Sequence, residues 1–231
     1  MNRATMLLTL LGASLALAYS PVLSQAQVTQ ATQQGAAMVR PDGGYQWGPY
    51  LLLSSNTNGI RLAKNDTEVD GIALGTPFER LRYESYLSTY EQKPLTSTQA
   101  GAFARTQDHK LTFLIYTHSL KSVDEEEEEF QQAYNPKAGT EKPAREASYL
   151  DKYQRATLQI GGRTLSASPQ VDGPYRDEFN LANGDFDFRF LGVIAYTFTI
   201  PRAVNAQQAT MRFKDTTGRA YKQTVDLTKL R

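Results

Sequence analysis

From Asp185 to Ile200 the chain alternates strictly. Phe186, Phe188, Phe190, Gly192, Ile194, Tyr196, Phe198 and Ile200 hold one set of alternate positions, and Asp185, Asp187, Arg189, Leu191, Val193, Ala195, Thr197 and Thr199 hold the other. Residues two apart share a face of a strand, so the first set predicts an aromatic-rich buried face. At about 3.3 Å per residue an unbroken strand of this length would span roughly 50 Å, beyond the usual range. Two strands, or one bent strand with its corner at Leu191-Gly192, are therefore expected. A second strong strand is expected over Lys110 to Leu120, with Leu111, Phe113 and Ile115 on one face and Leu114, Tyr116 and Leu120 on the other. Being apolar on both faces, it reads as an interior strand.

Weaker signals fill in around these two. Tyr50 to Ser54 and Ile60 to Ala63 predict a hairpin about the turn cluster Asn56 to Gly59, and Asn65 to Gly71 reads as loop. Leu81 to Tyr90 alternates, with Tyr83, Leu87 and Thr89 opposite Tyr86 and Tyr90, which predicts a strand ended by Pro94. Ser97 or Thr98 can cap a short helix to Arg105, on which Ala100, Phe103 and Ala104 share a face. Ala156–Ile160 and Arg163–Ala167 flank Gly161-Gly162, a strong hairpin signal, and Ala209–Lys214 and Arg219–Leu227 form another about Asp215 to Gly218. Ser168 to Ala182, with Asp172-Gly173-Pro174, reads as loop.

Residues 121–154 interrupt the β pattern with a long polar insertion. It holds the acidic run Asp124 to Glu129, then Pro136, Gly139 and Pro143, then Ala144 to Tyr153, where a short helix is expected. Insertions of this length are often where function is placed.

Short strands separated by turns predict an all-β fold: mostly β with one or two short helices, an immunoglobulin-like or related two-layer antiparallel β-sandwich. The layout over roughly Lys110 to Leu227 resembles the immunoglobulin-like sandwiches of exported bacterial proteins. It has no cysteine pair, and the one tryptophan, Trp47, lies far from the buried strand tryptophan of antibody-type domains. The resemblance is one of layout and carries over no functional residue.

The N-terminus changes the picture. Asn2 and Arg3 precede an uncharged apolar run, Met6 to Ala18, followed by small residues, which predicts a signal peptide over 1–26. Ser24-Gln25-Ala26 is the preferred cleavage motif and Ala16-Leu17-Ala18 the other. The run is too short to span a bilayer, so no transmembrane segment is expected after cleavage. Residues 27–43, rich in Gln, Thr and Ala, predict a flexible leader, and 44–231 a single β-sandwich domain. The chain has no cysteine, hence neither a disulfide framework nor a lipid-modified cysteine. Its 25 basic and 24 acidic residues nearly balance, and cleavage removes Arg3. Such a balance gives no basic patch for nucleic acid.

No residue is singled out as catalytic, cofactor-binding or metal-ligating, and no cofactor is implied. His109 and His118, the only histidines, cannot form a zinc site without carboxylates. His118 on its strand reads as a hydrogen-bonded core or edge histidine, with a general base or metal ligand as the rival. Ser119 beside it points to the other face, and none of the hydrolase or nucleotide motifs occurs. The run Asp124 to Glu129 reads as a solvated helix N-terminus, with weak divalent-cation binding or docking to a basic partner as rivals. Asp172, Asp177, Glu178, Asp185 and Asp187 form a second acidic cluster near the aromatic strand. Tyr45, Trp47 and Tyr50 predict packing of the domain start, with sugar stacking as the alternative.

The functional expectation is an exported cell-envelope or extracellular module, periplasmic, on the cell surface or beyond it. It would bind an envelope protein or a glycan through the 121–154 loop. The rivals are a carboxylate-based β-sandwich hydrolase acting on glycans and a Ca²⁺-stabilised structural domain.

Overall fold

The computed structural model describes residues 19–41, 43–54, 67–133, 148–180, 184–202, 204 and 206–230. The expected return strand Ile60 to Ala63, Asn183 and residues 134–147 of the insertion lie outside these residues.

Two antiparallel sheets face each other as in a two-layer β-sandwich. The first has β1 (Leu51–Ser54), β2 (Val69–Gly75), β3 (Lys110–His118), β7 (Phe186–Thr199) and β6 (Gln170–Asn180) in that spatial order. The second has β5 (Arg163–Ala167), β4 (Ala156–Ile160), β8 (Gln208–Lys214) and β9 (Ala220–Asp226). Between them lies the main core, in which Leu111, Phe113 and Ile115 of β3 and Ile194, Tyr196 and Phe198 of β7 meet Leu158, Met211 and Phe213 of the second sheet. Both predicted hairpins of that sheet form as expected.

The aromatic strand is single, the second of the two expected alternatives, but its aromatic face is not buried throughout. β7 is one strand of 14 residues, paired with β6 from Phe186 to Ala195 around a bulge on β6 between Asp172 and Tyr175, and with β3 from Leu191 to Thr199. At Gly192, opposite that bulge, a Cβ would lie 2.5 Å from a methyl of Leu150, so the glycine lets Leu150 press onto the strand. Its even face is buried from Phe190 onward, whereas Phe186 and Phe188 are exposed because the β6–β7 pair runs past the facing sheet.

β6 replaces the expected loop over Ser168 to Ala182. It is an edge strand, where proline and charge are tolerated because one side of the ladder is open. β2 likewise begins at Val69, inside the expected Asn65 to Gly71 loop.

Among the described residues four α-helices occur rather than one or two: α1 (Gln25–Ala37), α2 (Pro77–Tyr90), α3 (Ser97–Thr106) and α4 (Val123–Ala133). The expected strand at Leu81 to Tyr90 is the body of α2. Thr76 accepts from the Glu79 N–H, Pro77 opens the first turn, and Phe78, Leu81, Arg82, Ser85 and Tyr86 are buried at helical spacing. The leader expected to be flexible over 27–43 carries α1 instead. Ser24 and Gln27 make a capping box, and Val28, Ala31 and Gly35 are buried. These side chains are small enough to let α1 lie close on α2: a Cβ on Gly35 would fall 2.1 Å from the Arg82 carbonyl oxygen. Val28, Ala31, Phe78, Leu81, Ala100 and Ala104 make a second, helical core. Trp47 connects this layer to the open face of the first sheet, packing against Tyr116 of β3 and stacking on Tyr83 of α2.

Candidate functional site

β3 ends where the two sheets open, and its last residues divide between two environments. Thr117 turns inward, His118 outward. Inside, the Tyr153 hydroxyl donates to Thr117 at 3.2 Å, and Thr117 donates to Tyr149 at 3.4 Å. Burial pushes both tyrosine hydroxyls well above their ordinary pKa. Glu68 stands beside them, 1% exposed. Its Oε2 accepts from the Thr216 N–H and hydroxyl at 3.1 and 2.7 Å, while Oε1 is buried without a partner. Burial raises the Glu68 carboxyl above the usual range, partly offset by Thr216 and Tyr153. Asp215 is fully occupied by the hairpin it shapes, taking Thr217, Arg219 and Tyr221.

The insertion closes over this end of the sandwich. Ser122 and Glu125 cap α4 reciprocally at 2.8 and 3.2 Å, which starts the helix at Val123. Residues three apart share a helical face, so Val123 and Glu126 both point inward. The acidic run is thus a helix N-terminus with its other five carboxylates exposed and one turned in. Glu126 is 9% exposed. Its Oε2 accepts the Tyr149 N–H at 3.1 Å, and its Oε1 is buried with no partner. Tyr149 opens a 3-10 turn, Tyr149–Lys152, held by a Ser148–Asp151 capping box. This turn is the part of the predicted Ala144 to Tyr153 helix that the described residues show.

Between α4, this turn and the β8–β9 hairpin lies a cavity of about 480 Å³. Glu126, Ser119, Ser148, Tyr149, Thr216 and Thr217 line it, with Lys121, Glu129, Asp151 and Lys152 among the remaining lining residues. Lys121 and Glu129 form an ion pair that raises the lysine and lowers the carboxylate pKa. The wall is mostly apolar, with a few hydroxyls and the Glu126 carboxylate as its polar points, the usual make-up of a small-molecule site.

On the outer face, His118 Nδ1 meets both oxygens of Asp70 at 2.9 Å, with the Phe179 ring against it. This is the hydrogen-bonded histidine expected from the sequence. Ser119 does not join it, since its hydroxyl accepts the Lys121 N–H at 3.1 Å on the cavity side. A shallow groove of about 300 Å³ passes over Asp70, Tyr116, Tyr175, Asp177 and Leu191. The second acidic cluster is spread along β6 and β7. Asp172 accepts from Tyr175, Asp187 pairs with Arg189, and among these carboxylates only Asp177 reaches the groove. Among the described residues no three His, Asp or Glu side chains stand close enough to hold a metal ion.

Tyr45, Trp47 and Tyr50 do not form a sugar platform. Tyr45 donates to Glu79 Oε1 at 2.6 Å, and Arg82 lies over the Tyr45 and Tyr50 rings. Arg82 also binds both Glu79 oxygens and the Gln46 and Trp47 carbonyls. Burial lifts the Glu79 carboxyl to about 7 despite these donors. The Thr76-Pro77-x-Glu79 start signal could have placed this glutamate on a helix. Glu68, isolated at the edge of a loop-like stretch, carries no such signal. No family model matches the chain, and no curated protein or solved structure is similar to it.

Proposed function

We propose that the chain is an exported binding module of the cell envelope or its exterior, and that its ligand is a glycan unit seated in the cavity beside α4. One observation carries this reading: a buried glutamate, Glu126, lines the cavity with one carboxylate oxygen unpartnered. Buried polar groups in folded proteins are almost always paired, and an unpaired acceptor beside a cavity is what a donor-rich ligand completes. The hydroxyls of Ser119, Ser148, Thr216 and Thr217 among the lining residues would add polar contacts for a polyhydroxylated ligand, and the apolar part of the wall a surface for its ring faces. Both ends of the insertion frame the cavity, in keeping with the expectation that 121–154 carries the contact. Export rests on the basic and apolar pattern of residues 2–18. Among the described residues no helix is long and apolar enough to cross a membrane.

The test is a titration of the purified protein with soluble glycan fragments released from the host envelope, followed by calorimetry. Saturable binding that weakens tenfold or more in Glu126→Gln is expected. No binding, or equal binding by the variant, would overturn the assignment.

A further inference from the structure

Residues 19–24 form a strap that joins the two cores, and the strap decides between the two signal-cleavage motifs. The Tyr19 N–H donates to the Leu227 carbonyl at 2.9 Å, just after β9, and the Tyr19 ring packs on the main core. The Pro21 carbonyl accepts the His109 N–H at 2.6 Å. His109 holds the tight turn between α3 and β3 with a φ of 58°, and its own carbonyl accepts from Ile200. Leu23 then packs on the helical core. Ser24 caps α1: its hydroxyl accepts the Gln27 N–H at 3.3 Å, its N–H donates to the Gln27 side chain at 2.9 Å, and its carbonyl accepts from Val28.

Cleavage after Ala26 would cut inside α1, between its second and third residues. It would remove the cap, deprive the His109 N–H and Leu227 carbonyl of their partners, and uncover both cores where Tyr19 and Leu23 sit. Buried backbone groups without partners are rare in folded proteins because losing water without a replacement is unfavourable. Cleavage after Ala18 leaves every one of these contacts in place. Ala16 and Ala18 supply the small residues that the protease requires three and one positions before the cut.

We infer that the mature protein begins at Tyr19, and that residues 19–24 belong to the folded domain rather than to the signal peptide. The inference rests on the proposed export of the chain. The test is to express the full chain in an exporting bacterial host, then determine its intact mass and N-terminal sequence. Tyr19 as the first residue is expected. Gln27 as the first residue, or Met1 retained on protein found in the envelope, would overturn the inference while leaving export intact; Met1 retained on protein found only in the cytoplasm would overturn export itself. Two variants sharpen the result. Ala18→Gln should leave precursor uncut or shift the cut, whereas Ala26→Gln, at an exposed position of α1, should be processed as wild type. Blocked processing in Ala26→Gln alone would place the site at 26.

Discussion

Glu79 and Glu126 are both buried glutamates near the start of a helix, yet they sit in opposite situations. Every oxygen of Glu79 is used: Tyr45 and Arg82 donate to one, Arg82 to the other. The same arginine holds the carbonyls of Gln46 and Trp47, so the network clasps the chain leading to β1 onto α2. Glu126, which lines a cavity, uses one oxygen on the Tyr149 N–H and leaves the other buried without a partner. A completed network is a structural device, because each group in it replaces water lost on folding. An incomplete one keeps a desolvated acceptor in reserve, which makes sense where another molecule completes it.

The largest expected effect comes from breaking the completed network. Arg82→Met should lose about 3–5 kcal/mol in chemical denaturation, because it strands a buried carboxylate and two carbonyls. A loss under about 1 kcal/mol would mean that the clasp does not contribute to folding.

The pH dependence of the same network comes next. The folded Glu79 carboxyl lies at about 7 against an ordinary 4.5, so the native state holds its proton more tightly than the unfolded chain. The stability this contributes is fully present below about 4.5 and is lost as pH rises through about 7. A shift of that size corresponds to about 3 kcal/mol. Wild type should therefore lose stability between pH 5 and 8 relative to Glu79→Gln, and parallel profiles would remove Glu79 as the titrating group.

Glu126→Gln should change stability by less than about 1 kcal/mol. Removal of one unpaired buried acceptor oxygen offsets a weaker acceptor for the Tyr149 N–H. A large loss would make Glu126 a structural residue and collapse the contrast with Glu79. Smallest of all, Lys121→Ala should leave the thermal midpoint unchanged within error, since the Lys121–Glu129 pair is solvent-exposed and screened. A clear drop would show that the cavity rim is held by that pair.

The strands facing the main core were legible because their alternation survives any partner arrangement. β3, β4, β5, β8, β9 and the later part of β7 appear where the pattern placed them. The helical layer was not. Tyr83, Leu87 and Thr89 opposite Tyr86 and Tyr90 mimic alternation, and aromatic residues favour strands, but Thr76-Pro77-x-Glu79 starts a helix whose buried face includes Arg82 and Ser85. Polar residues on a buried face are invisible to a hydrophobic pattern. α1 failed for a related reason: its buried face is Gln27, Val28, Ala31 and Gly35, small or polar side chains that suit close packing on α2 and resemble a leader. β6 was hidden by Gly173-Pro174 and its charges, both of which an edge strand accommodates. At the candidate site, the pairing of His118 was anticipated but Asp70 was not, and Glu126 was one of six equivalent acids until the register of α4 turned it inward.

The sequence by itself determined the period-2 strands, the mostly β class and the position of the polar insertion, because these depend on spacing along one chain. Only the tertiary structure decided which alternating face is covered. Phe186 and Phe188 repeat the pattern of Phe190 and Phe198, yet stand beyond the reach of the facing sheet. It also decided that residues 19–37 belong to the fold and that one carboxylate of an acidic run faces a cavity. Burial is a property of two surfaces brought together, and a sequence pattern describes only one of them.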